Sequence, residues 1–132
     1  MIAIDSSALI AILQSEPERA MFASIIAHAS QKFICAVTFL EAGMIAYSRR
    51  GQAGLEALSD IVADAEIEIV PFDAPLARLA LEAFERYGKG NHSKARLNLG
   101  DCAAYALAKS KNLPLLYKGT DFASTDIASA AA

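Results

Sequence analysis

The chain has 132 residues, of which 55% are hydrophobic, and it carries a formal net charge of -3. This length predicts one domain, spanning residues 1–132, with one hydrophobic core. No apolar run approaches the roughly 20 residues that cross a bilayer, and no basic leader precedes the first apolar stretch. We therefore expect a cytoplasmic protein without a membrane partner. The acidic balance also differs from that of a generic nucleic-acid-binding protein, which carries a basic face.

Apolar runs and helical patterns alternate along the chain. Continuous apolar runs, which are typical of buried parallel strands, predict strands at 1–5, 33–37, 67–71 and 114–118. Apolar residues at three- and four-residue spacing, together with capping residues, predict helices at 8–13, 22–29, 38–50, 55–62, 74–87 and 101–111. This order predicts an α/β fold with a mostly parallel sheet and helices on both faces.

Two segments lack this regularity. Residues 88–100 are polar, basic and rich in glycine, which predicts a long loop of the kind that is functional or mobile. Residues 128–132 are small, and we expect this end of the chain to be frayed.

Four acids beside apolar sequence are the main candidates for chemistry. Asp5 ends the first predicted strand and Asp121 follows the last one, at the edge of the sheet where sites form in open folds of this class. Glu41 lies in an apolar helical stretch, and Asp101 opens a helix. Carboxylates that share one site repel each other, and a bound divalent cation is the usual remedy.

The chemistry of such a site follows from its ligands. Hard oxygen ligands favour Mg²⁺, with Mn²⁺ as the alternative ion, and the scarcity of His and Cys disfavours zinc. A divalent cation held by carboxylates can activate water and stabilise charge on a phosphoryl group. The four acids thus indicate metal-assisted hydrolysis of a phosphodiester bond.

Each acid also has a purely structural explanation. Asp5 can be the N-cap of the helix after it, and Asp101 can be a first-turn acid that interacts with the helix dipole. Glu41 can pair with a cation or lie on an exposed face, and Asp121 can belong to an ordinary turn. The candidate cations for Glu41 are Arg49, Arg50 and Lys118.

Four further residues could assist the acids. Ser7 can cap the first helix or support the first acid, and Thr120 can supply a hydroxyl near the last acid or cap a turn. His92 can be a general base or a solvated residue of the basic loop. Lys89 can contact a phosphate or belong to a solvated face.

The context of these acids resembles a known family. The residues that carry the resemblance are segments 4–9, 38–42, 97–102 and 116–122. Together they look like a PIN domain and, more narrowly, like the VapC toxins of bacterial type II toxin–antitoxin pairs. Segments 87–92 and 125–126 are also similar to one VapC subgroup.

The resemblance implies a three-layer α/β/α sandwich and a Mg²⁺-dependent endoribonuclease that cleaves RNA, often a tRNA. Asp5 and Asp101 match the principal metal ligands of the family. Glu41 matches the third acid, and Asp121 matches the fourth, which often acts through water. Thr120 departs from the subgroup, in which an acid or Asn often precedes the fourth acid, and this leaves the number of metal ions open.

The resemblance also implies partners. VapC toxins usually form homodimers and are neutralised by a VapB antitoxin whose C-terminal segment docks at the active site. A second hypothesis is a catalytically inactive PIN-like binding module whose acidic pocket docks a basic partner peptide. It predicts binding of an arginine-bearing peptide without metal-dependent nuclease activity.

Overall fold

The computed structural model describes residues 1–131, which form one four-stranded sheet with five helices around it. All four strands are parallel, in the order β3-β2-β1-β4. The strands are β1 (Ile2–Ile4), β2 (Lys32–Cys35), β3 (Glu68–Val70) and β4 (Leu115–Leu116). The four predicted strands are therefore confirmed, each shorter than the apolar run that predicts it.

Helices connect and cover the strands. They are α1 (Ser6–Leu13), α2 (Arg19–His28), α3 (Ala36–Asp64), α4 (Ala74–Tyr87) and α5 (Leu99–Lys111). Within residues 1–131, none of them is both long enough and apolar enough to cross a membrane.

The two faces of the sheet support separate cores, because successive strand residues point to opposite faces. Ala3 and Leu115 pack with residues of α4 and α5 on one face. Their neighbours Ile4 and Leu116 pack with residues of α1, α2 and α3 on the other face. The result is a helix layer, a parallel sheet and a second helix layer, which confirms the predicted α/β/α sandwich.

The long segment α3 contains a break at Gly51. This residue has φ 59° and ψ -144°, which are not helical angles. Glycine adopts a positive φ without the penalty that a Cβ would bring. The predicted helices at 38–50 and 55–62 are therefore the two halves of one interrupted segment.

The end of the chain pairs with β4. The N–H of Leu115 donates to the carbonyl of Ala128, and the N–H of Ala130 donates to the carbonyl of Leu115, both at 2.9 Å. The expectation of a frayed end is wrong for residues 128–131. Ala132, the last residue of that predicted tail, lies outside the described residues.

The strand order places a topological switch point beside β1. From β1 the sheet extends through β2 to β3 on one side, and the chain then returns to add β4 on the other side. Open α/β sheets bind ligands at such a switch point, beyond the carboxyl ends of the strands. Asp5 directly follows β1, and Asp121 lies in the turn after β4.

Candidate active site and metal centre

The two carboxylate oxygens of Asp5 lie in different environments. It is 3% exposed and caps α1: its Oδ2 accepts the Ser7 N–H at 3.1 Å and the Ser7 hydroxyl at 2.6 Å. The other oxygen, Oδ1, is buried and has no hydrogen-bond partner. Leaving a buried carboxylate oxygen unpartnered is costly, so this atom is suited to a cation. The capping and ligand roles are compatible because they use different oxygens.

Ser7 connects Asp5 to the neighbouring strand. Its hydroxyl donates to Asp5 and accepts the backbone N–H of Lys118 at 2.9 Å. Lys118 follows β4, so this relay ties together the two strand ends that border the switch point. Ser7 therefore fixes the orientation of the Asp5 carboxylate.

Asp101 belongs to a capping box. The helix α5 begins at Leu99 and not at Asp101, and its N-cap is Asn98, whose side chain accepts the Asp101 N–H at 2.9 Å. In return, Oδ2 of Asp101 accepts the Asn98 N–H at 3.1 Å. This reciprocal arrangement holds the carboxylate, which is 7% exposed, in one orientation.

Glu41 is held by a hydroxyl and a glycine. Its Oε1 accepts the hydroxyl of Ser6 at 2.7 Å, and its carboxylate lies against the backbone of Gly100. Within residues 1–131 it forms no ion pair, and Lys118 pairs instead with acids of the α1–α2 connection. The structure thus brings Glu41 from α3 to the residue that precedes Asp101.

Asp121 is the exposed member of the set. It lies in a turn after β4 in which the carbonyl of Thr120 accepts the N–H of Ala123 at 3.1 Å. Its charge nevertheless acts on Asp101, whose pKa it raises. Thr120 is also exposed, and within residues 1–131 its hydroxyl forms no hydrogen bond to the other acids.

Burial and mutual repulsion make the site hard to ionise fully. The pKa of Asp101 is raised to about 7, chiefly by burial and also by the charges of Asp5, Asp121 and Glu41, while one backbone hydrogen bond opposes the rise. The pKa of Asp5 is likewise raised to about 6, chiefly by burial, with the Ser7 hydrogen bonds opposing the rise and the charge of Glu41 contributing to it. Among the described residues, no Lys or Arg forms an ion pair with any of the four acids.

This arrangement fits a hard cation that retains much of its water. Within residues 1–131, no three His, Cys, Asp or Glu side chains converge tightly enough to form a ready metal cage. Mg²⁺ does not need one, since it is commonly held by one or two carboxylates and several waters. The unpartnered Oδ1 of Asp5 and the fixed carboxylate of Asp101 could provide such a pair.

The basic part of the loop, residues 89–96, is organised around His92. The His92 Nδ1 accepts the N–H of Lys94 at 3.1 Å and of Ala95 at 2.9 Å, and the ring packs against Tyr87. Lys89 is exposed, and within the described chain neither its side chain nor that of His92 hydrogen-bonds to an acid of the site. His92 is therefore placed as the internal support of this loop.

Sequence reasoning missed three residues that shape the site. Ser6 is recognisable only as a possible cap, and its bond to Glu41 depends on how α1 and α3 pack. Asn98 is recognisable in principle, because Asn followed three residues later by an acid is the capping-box spacing. Gly100 carries no signal for its contact with Glu41.

The comparisons with known proteins agree with this fold and show the family of the chain. The model of the family described as PIN domain matches residues 2–128. Ribonuclease VapC28 of Mycobacterium tuberculosis is 39% identical over 124 residues, which cover 94% of this chain and 93% of that protein. The chain therefore belongs to the PIN-domain family, in its VapC branch.

Solved structures show the same architecture. The crystal structure of Mycobacterium tuberculosis VapC20, described as a Sarcin-Ricin loop cleaving toxin, superposes with a TM-score of 0.79 over 96% of both chains at 16% identity. A toxin–antitoxin complex from Klebsiella pneumoniae superposes with a TM-score of 0.71 over 98% of both chains at 21% identity. At these identities the likeness concerns the fold.

Proposed function

We propose that this protein is the toxin of a type II toxin–antitoxin pair and a Mg²⁺-dependent endoribonuclease. One observation carries the proposal: a buried Asp5 with one unpartnered oxygen lies at the switch point of the sheet and is electrostatically coupled to Asp101. Membership of the VapC family supports RNA as the substrate. A tRNA is the first candidate, and the cytoplasm is where the enzyme would meet it.

Asp5 and Asp101 would hold the metal ion, and Glu41 and Asp121 would border it. When bound, Mg²⁺ supplies charge stabilisation at the phosphoryl oxygens and lowers the pKa of water. Ser7 keeps Oδ2 of Asp5 occupied, so Oδ1 faces the site.

The remaining acids orient water and substrate in this proposal. Glu41, fixed by Ser6, can accept a proton from the attacking water at the edge of the site. Asp121, which is exposed, would meet the substrate as it enters. The backbone of the RNA would be met by exposed cations of the basic loop, Lys89, Lys94 and Arg96.

Two protein partners belong to the proposal. A VapB-type antitoxin is supported by the family and by the shared fold of a solved toxin–antitoxin complex.

A homodimer is supported by a surface that we call the apolar band, formed by Leu40, Met44, Tyr47 and Leu99. All four are exposed, and Leu99 is 78% exposed. Contiguous exposed apolar side chains mark interaction surfaces.

The decisive experiment is cleavage of total cellular RNA by purified protein with Mg²⁺, with EDTA, and with the variants Asp5→Asn and Asp101→Asn. We expect discrete cuts that need both the metal and each acid. The matched control is Asp60→Asn, which removes an exposed acid of α3 and should leave cleavage unchanged. Circular dichroism establishes that every variant is folded.

The binding-module hypothesis predicts a different outcome of the same experiment. The unpartnered Oδ1 of Asp5 would also accept an arginine guanidinium. The nuclease would be wrong, and the binding module right, under two conditions. Folded, antitoxin-free protein would have to cut no RNA under any condition and bind an arginine-bearing peptide through Asp5.

A further inference from the structure

One stripe of α5 carries three functional groups at four-residue spacing. Asp101, Tyr105 and Lys109 lie one turn apart and therefore share a face of the helix. Asp101 belongs to the acid site, whereas the other two point to a different carboxylate. That carboxylate is Asp126, in the segment after β4.

Both carboxylate oxygens of Asp126 accept hydrogen bonds from this face of α5. The hydroxyl of the buried Tyr105 donates to Oδ1, and Lys109 Nζ donates to Oδ2 at 2.6 Å. Arg86 of α4 lies 3.9 Å from the same Oδ2. Hydrogen bonds to an ionised carboxylate are stronger than neutral ones, so this interaction is a firm attachment.

A short turn with two stabilising contacts connects Asp121 to this attachment. Phe122 is 1% exposed and packs against Tyr117 with ring centroids 5.0 Å apart. The Thr125 hydroxyl donates to the carbonyl of Phe122 at 2.7 Å, which links the buried ring to the residue before Asp126. Asp121 is thus followed at once by a core anchor and, a few residues later, by the attachment to α5.

The attachment matters for Asp121 because this acid has little support from its own secondary structure. Asp121 is exposed and lies in a turn outside any helix or strand. The attachment at Asp126 ties this turn to α5, the helix that carries Asp101.

We propose that Tyr105 and Asp126 are positioning residues that hold the fourth acid, Asp121, beside Asp101. This inference rests on the proposed function, since it concerns the same metal centre. It assigns a role to a hydroxyl–carboxylate hydrogen bond that lies outside the four acids.

The test is a double-mutant cycle on Mn²⁺ affinity, measured by electron paramagnetic resonance on protein stripped of metal. We expect Tyr105→Phe to weaken Mn²⁺ binding by about 10-fold, the lower end of the effect of outer-shell partners. In the Asp121→Asn background, Tyr105→Phe should not weaken Mn²⁺ binding further, because the carboxylate that Tyr105 helps to position is absent. With RNA, kcat should fall while KM stays constant.

Tyr117→Phe is the matched control. It removes a hydroxyl from a tyrosine that packs on the same turn, and that hydroxyl has no hydrogen bond within residues 1–131. Hydrogen exchange of the 119–126 amides in metal-free protein should rise in Tyr105→Phe and not in Tyr117→Phe. This readout is independent of activity.

Failure of the inference is distinguishable from failure of the proposed function. If wild-type protein binds Mn²⁺ and Asp101→Asn does not, but folded Tyr105→Phe binds as wild type, only the inference is overturned. An equal decrease with and without Asp121 also overturns it, since Tyr105 would then act on stability alone. If wild type and Asp101→Asn bind Mn²⁺ alike, the metal centre and the inference are both overturned.

Discussion

The carboxylate of Glu41 rests on the backbone of Gly100, in a space that a side chain would occupy. A Cβ added to Gly100 would lie 2.6 Å from Oε1 of Glu41. The contact joins α3 to the first turn of α5 and brings one acid beside the next, Asp101. The absence of a side chain at position 100 is therefore a feature of the site.

Gly100→Ala should separate activity from stability. The added Cβ displaces Glu41 and weakens its bond to Ser6, so we expect RNA cleavage to fall about 10-fold or more. Alanine is up to about 1 kcal/mol more favourable than glycine in a helix, so Tm should not fall. Gly43→Ala is the control, because a Cβ there meets only side-chain carbons at 3.6 Å and beyond. Equal cleavage by both variants would contradict the role of the contact.

Ser7→Ala should impair the metal centre without removing a ligand. The change takes away the 2.6 Å hydrogen bond to Asp5 and leaves the Lys118 N–H without its acceptor. We expect Mg²⁺ affinity to fall by about 10- to 100-fold, as for other outer-shell partners, and titration calorimetry measures it. Ser24→Ala on the exposed face of α2 is the control. An unchanged affinity in Ser7→Ala would show that the backbone N–H of Ser7 alone orients Asp5.

Metal-free protein should become less stable as the pH rises through the pKa values of the buried acids. These are about 6 for Asp5 and about 7 for Asp101, both raised chiefly by burial from 3.8. Between 3.8 and those values the folded state binds more protons than the unfolded chain, so stability decreases with rising pH. The slope is at most about 1.4 kcal/mol per pH unit for each carboxyl.

Thermal unfolding in EDTA checks this dependence between about pH 5 and about pH 8. We expect Tm to fall over this range, and Mg²⁺ to recover part of the decrease because it compensates the charges. Asp101→Asn should flatten the pH profile, since it removes the group with the higher pKa. A Tm that rises with pH over the range would contradict the raised pKa values.

The sequence predicts the parts of the site that depend on local pattern. Asp5 and Asp121 follow continuous apolar runs, and such runs become parallel strands whose ends meet at one edge of the sheet. The predicted start of α5, at Asp101, is two residues later than the observed start. The prediction follows the apolar stripe, whereas the N-cap at Asn98 determines where the helix begins.

Other parts of the site depend on packing between elements that are distant in the chain. The positions of Glu41 over Gly100 and of Tyr105 against Asp126 follow from how α3, α5 and the last segment fit together. No periodicity or spacing in one segment encodes such an arrangement. The four site roles themselves remain predictions that the experiments above test.

Substituting Lys89, Lys94 and Arg96 together by Gln should weaken RNA binding and reduce its salt dependence. All three are exposed on the loop that precedes α5, and removing one phosphate-binding cation lowers the slope of affinity against salt by about 0.7 to 0.9. The effect should fall on KM more than on kcat, because within residues 1–131 these three side chains form no ion pair with the acids. The control removes the same charge from Arg19, Arg49 and Arg50. If both triple variants reduce the salt dependence of RNA binding equally, the RNA does not bind specifically along the loop.

Met44→Lys should dissociate the proposed homodimer. Met44 is 62% exposed at the centre of the apolar band, one helical turn from Leu40 and beside Leu99. A lysine there would be buried against apolar side chains of a second copy, and an unpaired buried charge is costly. Sedimentation velocity should show a dimer for wild type and a monomer for Met44→Lys. Met21→Lys is the control, since Met21 is 47% exposed on α2, outside the band, and should leave the dimer intact. If wild type sediments as a monomer, the band is free to bind the antitoxin, and the homodimer is wrong.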